Sequence, residues 1–176
     1  MKKFAVILTV IGASVFSTQV NAQSKSSSGD FTFAGGINVG LPVGDIHNIA
    51  SFVLGAKLQG ELKLAENFTG VATTGYSHYF GKSLDNGFGG TVKINGGEVP
   101  ILVGPRFYPS ENFFVGAQIG VGFLTGDYNG TGFAYAPQIG YNADNFQAIL
   151  AYDAVSKNGT VANIGLTFLY KFGGGK

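Results

Sequence analysis

The sequence contains no cysteine, so disulfides, thiolate metal sites and lipidation at a cysteine are excluded. Charge is scarce too. Lys, Arg, Asp and Glu make up 12% of the 176 residues, about half the fraction found in a typical soluble domain. The two signs nearly cancel, leaving a formal net charge of +1, so no broad attraction for nucleic acid or anionic lipid is expected. After the N-terminus no continuous apolar run reaches the roughly 18 residues of a spanning helix. Nor does any later stretch place its apolar residues at a helical period of 3.6. Histidine is limited to His47 and His78.

Glycine and aromatic residues are what the chain has in quantity, at 29 glycines and 14% Phe and Tyr. An apolar chain without a spanning helix has one remaining way to hide that character, alternation along β-strands, as membrane barrels do. One domain or one closed barrel fits the length.

The N-terminus reads as an address. Lys2 and Lys3 precede an apolar run from Phe4 to Phe16, and Val20-Asn21-Ala22 supplies a small-residue cleavage site. Residues 1–22 are therefore expected to be a signal peptide, cleaved after Ala22. Residues 23–30 are a Ser-rich flexible lead-in, 31–172 the barrel, and 173–176 a glycine-rich tail.

Eight alternating stretches follow: Phe31 to Leu41, Phe52 to Leu64, Phe68 to Phe80, Glu98 to Tyr108, Phe113 to Leu124, Gly132 to Asn142, Phe146 to Val155 and Val161 to Phe172. The last is the longest unbroken case, with Ala162, Ile164, Leu166, Phe168, Tyr170 and Phe172 on one face. A period of two over that length means a strand with unlike surroundings on its two sides. The third stretch is ambiguous in phase; Phe68, Ala72, Tyr76 and Phe80 are assigned outward. Each stretch reaches about the 9–11 residues that a tilted membrane strand requires.

Three connections are tight and alike, Glu66-Asn67-Phe68, Glu111-Asn112-Phe113 and Asp144-Asn145-Phe146. Four are longer or carry Asn-Gly: Pro42 to Ser51, Gly81 to Gly97, Thr125 to Thr131 and Ser156 to Thr160. Short turns at one end and longer loops at the other are the layout of an outer-membrane barrel, with the turns periplasmic. The same frame gathers Phe31, Phe68, Phe107, Phe113, Tyr141, Phe146 and Phe172 at the turn end. Phe80, Phe123, Phe133, Tyr135 and Tyr152 fall at the loop end, so two aromatic girdles are expected.

Alternation alone does not say which face points out. A soluble lipocalin-type barrel also has eight strands, with the apolar face inward. Its wetted face would carry many Lys and Glu, whereas here the polar face is mostly Gly, Thr, Asn and Gln. The inside-out arrangement follows. Pro100, Pro105 and Pro137 fall within the strands, where each removes a ladder donor, so a bulge or a different strand boundary is expected at each.

By parity Lys57, Glu61, Lys63, Arg106, Asp153 and Lys171 point into the lumen. Glu61, Lys63, Arg106 and Lys171 lie in its periplasmic half, and Lys57 and Asp153 lie higher. Enclosed charges must pair or stay hydrated. They form either a structural salt-bridge plug, with Glu61 between Arg106 and a lysine, or the selectivity element of a narrow pore. The inward glycines, such as Gly116, Gly120, Gly122 and Gly140, either relieve curvature or leave a cavity, and a filled or watery lumen is favoured over a ligand site.

The whole mature chain resembles the small outer-membrane β-barrel proteins of the OmpA/OmpX/OmpW-like class. Val99-Pro100-Ile101-Leu102-Val103-Gly104-Pro105-Arg106-Phe107-Tyr108, followed by Asn112-Phe113-Phe114-Val115-Gly116, is similar to the porin-family barrels of Bacteroidetes. The resemblance implies an all-β, eight-stranded antiparallel up-and-down transmembrane barrel in a Gram-negative outer membrane. It implies outer-membrane lipid as surroundings, and recognition of Phe168, Tyr170 and Phe172 by the barrel assembly machinery, although Gly173 to Lys176 extend past the usual terminal aromatic. No cofactor, metal or nucleic acid is expected, and the chain is expected to be a monomer.

The leading expectation for function is structural or surface interaction, with loops displayed to an extracellular ligand. A narrow channel for small or hydrophobic solutes is the alternative, and a lipid-modifying enzyme is more remote. Asp45, His47 and Ser51 share the first loop, but nothing orients His47 toward a nucleophile. Gly81-Lys82-Ser83 lacks the earlier glycine of a phosphate-binding loop, since Tyr76 stands there.

Overall fold

The computed structural model describes residues 30–85 and 90–172. The expected signal peptide, the lead-in to residue 29 and the tail lie outside these residues. Ten strands form, in order β1 (Phe31–Val43), β2 (Ala50–Ala65), β3 (Phe68–Gly81), β4 (Ser83–Asp85), β5 (Thr91–Lys93), β6 (Gly96–Phe107), β7 (Phe113–Gly126), β8 (Gly130–Asn142), β9 (Phe146–Ser156) and β10 (Thr160–Phe172). Eight of them close into an antiparallel barrel in the order β1-β10-β9-β8-β7-β6-β3-β2. The remaining two, β4 and β5, make a short hairpin within the Gly81–Gly97 connection. The expected strands are all present, most of them a residue or two longer than their sequence patterns.

The register fixes the shape. A lateral path from Phe33 passes through Gly60, Ala72, Val103, Ile119, Tyr135, Ala154 and Ala162 and returns to β1 at Val43. It re-enters ten positions farther along the strand. With ~3.3 Å rise per residue and ~4.8 Å between strands, that stagger tilts the strands by about 40°. An eight-stranded barrel is then just wide enough inside for side chains to fill it.

Alternation decides the two faces. Every Lys, Arg, Asp and Glu on the eight barrel strands falls on inward parity: Lys57, Glu61, Lys63, Glu98, Arg106, Asp153 and Lys171. The outward positions carry Ile37, Leu54, Ile101, Val103, Ile119, Leu150 and Leu166, all exposed. Soluble monomers rarely expose so continuous an apolar band. The third strand keeps the assigned phase, with Tyr76 and Phe80 outward and Val71 and Tyr79 inward.

Aromatic contacts gather at the two ends. Phe68–Phe107 and Phe113–Tyr141 meet at the turn end, both with ring centroids 5.2 Å apart. Phe52 stacks on Phe80 at 4.2 Å at the loop end, where Tyr135 also meets Tyr152 at 6.1 Å. His78 points outward among them, its ring edge-on to Phe80.

Three expectations need correction. The prolines cause no bulge. Pairing of β3 with β6 skips from Ile101↔Thr74 to Glu98↔Ser77, and of β6 with β7 from Val103↔Ile119 to Arg106↔Gly116. In the same way, β8 with β9 skips from Tyr135↔Ala154 to Gln138↔Ala151. Each proline loses its bond on one side while the register resumes unchanged. The bulges lie instead in β2, between Ala50 and Phe52 and between Lys63 and Ala65.

The contrast between short turns and long loops is also weaker than expected. Strands run on into all four of the loops, so Ser51 belongs to β2, and the Tyr108–Asn112 turn is longer than the connections at 127–129 and 157–159. Finally, the first loop contains a 3-10 turn, Gly44–Asn48, where no helix was expected. It is too short to show a helical period in sequence.

If the outward band faces hydrocarbon, Ile101→Arg, at mid-height of β6, lowers unfolding stability in lipid vesicles by roughly 2–4 kcal/mol. An unchanged denaturant midpoint would show that this face meets water.

Candidate functional site: the filled lumen

Arg106 sits at the centre of the turn-end half of the lumen and is fully buried. It comes from β6, and its guanidinium is claimed by acceptors on three other strands. Nη1 is ion-paired with Glu61 of β2 and donates to Gln147 Oε1 of β9 at 3.2 Å. Nη2 donates to Gln59 Oε1 of β2 at 2.6 Å and to Gln138 Oε1 of β8 at 2.9 Å. The Phe114 ring of β7 lies 4.2 Å from the guanidinium carbon, a cation–π contact in a desolvated setting.

The glutamines act as relays because an amide both donates and accepts. Gln147 Nε2 donates to Glu61 Oε2 at 3.0 Å and to Asn142 Oδ1 at 2.9 Å. Gln59 Nε2 donates to Gln147 Oε1 at 2.8 Å. Lys171 Nζ reaches Asn142 Oδ1 at 3.0 Å, so it joins the same chain of bonds through neutral groups.

Higher in the barrel Lys57 Nζ pairs with Asp153 Oδ2 at 2.8 Å, both side chains about nine-tenths buried. The lumen charges counted from the sequence thus fall into two levels, with Glu61 beside Arg106. Lys57 pairs with Asp153 rather than with Glu61, and Lys171 reaches the Arg106 group only through Asn142. Lys63 and Lys171 are half-buried and line an open basin of about 680 Å³ at the turn end, together with Asp30, Glu66, Tyr108 and Glu111.

A third polar level lies toward the loop end. Asn163 Nδ2 donates to the Tyr79 hydroxyl, which donates to Glu98 Oε2, both at 2.9 Å. Counting charges along strands misses this chain because Tyr79 stands on the strand of ambiguous phase and Glu98 opens its strand. The even position of Glu98, matching Arg106, is the signal that places it inside. Phe114, Gln138 and Gln147 are legible in the same way, as inward positions that carry no charge.

Apolar layers separate the polar ones. Leu102, Leu124, Ala134, Ala136 and Val155 pack above the Lys57 level. Ala34, Phe114, Ile149 and Leu169 pack beside Arg106. Over the loop end Ile46, from the 3-10 turn, packs on Ala50, Val53 and Tyr79, with Tyr128 and Val161 against them. The inward glycines leave no cavity, since the space at Gly116 is taken by the Arg106 stem and that at Gly140 by the Phe114 ring. Between the two ion pairs the void is about 10 Å³, roughly the room of one water.

His47 is exposed, and its carbonyl accepts the Lys82 ammonium at 2.6 Å. Among the described residues no cluster of three His, Asp or Glu side chains is arranged to hold a metal.

Comparison with known proteins places this geometry in a fold. No family model matches the sequence, and no curated protein matches it. Solved structures do. The crystal structure of Ail, the attachment invasion locus protein of Yersinia pestis, is similar at a TM-score of 0.58 and 12% identity, over 83% of this chain and 100% of that one. The outer membrane protein Ail in a phospholipid bilayer nanodisc gives 0.56 and 16%, over 81% and 100%. Ail in complex with the heparin analogue sucrose octasulfate gives 0.53 and 14%, over 83% and 100%. At such identities the likeness is one of fold: the chain is a closed eight-stranded barrel of the outer-membrane type.

Two outcomes follow. Arg106→Ala strands Glu61 in the lumen and lowers stability by about 3–5 kcal/mol, read as a lower denaturant midpoint; an unchanged midpoint would show the network to be slack. Tyr108 lies just past β6, where burial, aided by the Glu61 carboxylate, pushes its phenol up to about 12. Folding favours the protonated phenol, so its contribution is complete below the unfolded value of about 10 and fades as pH rises through about 12. The ultraviolet tyrosinate difference between wild type and Tyr108→Phe should therefore appear near pH 12, and appearance near 10 would contradict it.

Proposed function

We propose that the chain is an integral outer-membrane barrel with a sealed lumen, whose role is structural or lies in contacts made by its loops. The observation that carries this reading is the filling of the bore. The Arg106–Glu61–glutamine network, the Lys57–Asp153 pair and the Ile46–Tyr128 cap succeed one another from end to end. A conducting path needs hydrated or weakly held groups that an ion or solute can exchange with, and mutually bonded buried side chains do not offer one. The narrow-channel alternative therefore has little support, and the reading assigns the chain no catalysis.

The lumen residues Lys57, Glu61, Arg106 and Asp153 are on this reading structural ties between strands. The surroundings are outer-membrane lipid, met by the aliphatic band and both girdles. Phe168, Tyr170 and Phe172 face outward on β10, where assembly machinery that recognises a C-terminal aromatic strand would meet them. The protein acts as a monomer and is exported by its N-terminal signal.

Ail, similar in fold, has been seen with a heparin analogue, and loop contact with an extracellular ligand is proposed here by analogy. The loop end of this chain mixes Lys82, Lys93 and Lys157 with Asp45, Asp85 and Asp127, so the analogy does not extend to a polyanion.

Refolded protein in a planar lipid bilayer should show no discrete current steps. Stepwise openings that scale with inserted protein would overturn the sealed-lumen reading.

A further inference from the structure

We infer that the outer wall of the barrel carries a seat for one lipid acyl chain, centred on Ala148. The inference rests on the lipid-embedded reading and adds to it a particular binding place.

The girdle row at the turn end passes Phe113, Tyr141, Ala148 and Phe168, each directly opposite the next across the β7–β8, β8–β9 and β9–β10 pairings. Three of these four positions bear a large ring and one bears a methyl. Along β9 itself, Phe146 and Leu150 stand two residues to either side of Ala148, on the same face, and both are exposed. A single small side chain is thus walled by rings and a branched aliphatic.

A groove of about 370 Å³ opens there, lined by Tyr141, Ala148, Leu150, Leu166, Ile139 and Phe113 among others. Its walls are almost wholly apolar. No charged side chain lines it, in contrast to the basin at the turn-end mouth. A peptide or sugar would bring unpaired polar groups against such walls, which is costly. A hydrocarbon chain brings none.

The occupant is named by continuity. The groove interrupts the same outward face that the aliphatic band and the aromatic rows present to hydrocarbon. It lies at girdle level, where rings sit at the membrane–water boundary, so the part of the chain nearest the lipid headgroup fills it.

The test is retention of phospholipid by the folded protein, released from detergent and weighed by native mass spectrometry. Wild type should keep one phospholipid that Ala148→Phe keeps about tenfold less, the effect of excluding about two methylenes. Ala148→Leu gives a second filling variant should the ring impair folding. Ala72→Phe, at an exposed outward alanine away from the groove, should retain lipid as wild type does.

Equal retention by all variants, or equal loss in the Ala72 and Ala148 variants, would overturn the seat. So would a dimer in wild type that Ala148→Phe converts to monomer, since the groove would then join two copies of the chain. Heat-modifiable gel mobility separates this from the broader reading. A chain that runs alike boiled and unboiled has failed as a closed barrel, whatever its lipid content.

Discussion

The pairing of β10 with β1 is the constraint from which the remaining structure follows. In hydrocarbon an unpaired backbone N–H or C=O costs several kcal/mol, so a sheet with two free edges is excluded there. The seam runs from Phe33↔Phe172 to Val43↔Ala162 without interruption. Gly36 makes it possible at close range, since a Cβ there would press into the backbone of Phe168 and Leu169. Because β1 and β10 are the first and last barrel strands, no connection holds them together. Only the register of the other seven pairings brings them into place.

That register also sets the bore, and the bore dictates its contents. A ten-residue stagger leaves an interior that side chains must fill. The side chains on that face are polar because alternation gives the apolar set to the wall. A buried arginine is tolerable only if its donors are used and its charge is met. Here one carboxylate meets the charge and three glutamines supply acceptors to the two terminal nitrogens, while Nε is left without a partner. Gln59 and Gln147 also bond each other and Glu61, and Gln138 adds a tie from Arg106 to β8, which converts one ion pair into a brace across β2, β6, β8 and β9.

What the sequence makes legible divides along physical lines. Strand positions, phase and closure follow from a period of two sustained over long stretches, and they hold even on the third strand, where Tyr76 and Tyr79 fall on opposite faces. The levels of the lumen charges follow from the same counting. Partner choice does not: that Lys57 meets Asp153 depends on stagger, which links residues far apart in sequence and leaves no local trace. The prolines mislead for a related reason. A lost ladder bond predicts a bulge only if the strand is free to slip, and here two neighbouring strands hold each proline-bearing strand in register. The Ile46 cap is invisible in sequence because one 3-10 turn is too short for any period.

The two ends of the barrel differ in a way that bears on how its surfaces can be used. At the turn end the Arg106 network is the floor of an open, charged basin. At the loop end Ile46 and Tyr128 close the bore, and neighbouring connections are tied to one another. Lys82 holds the His47 carbonyl, and Asp127 accepts the Asn95 backbone N–H at 2.9 Å. Binding to such a surface costs less ordering than binding to free loops. The hairpin of β4 and β5 is a separate two-stranded sheet, with Val92 half-exposed. Contact by a partner would therefore meet a fixed platform made by the closed bore. The packing that fills the bore is also what holds its loop end firm.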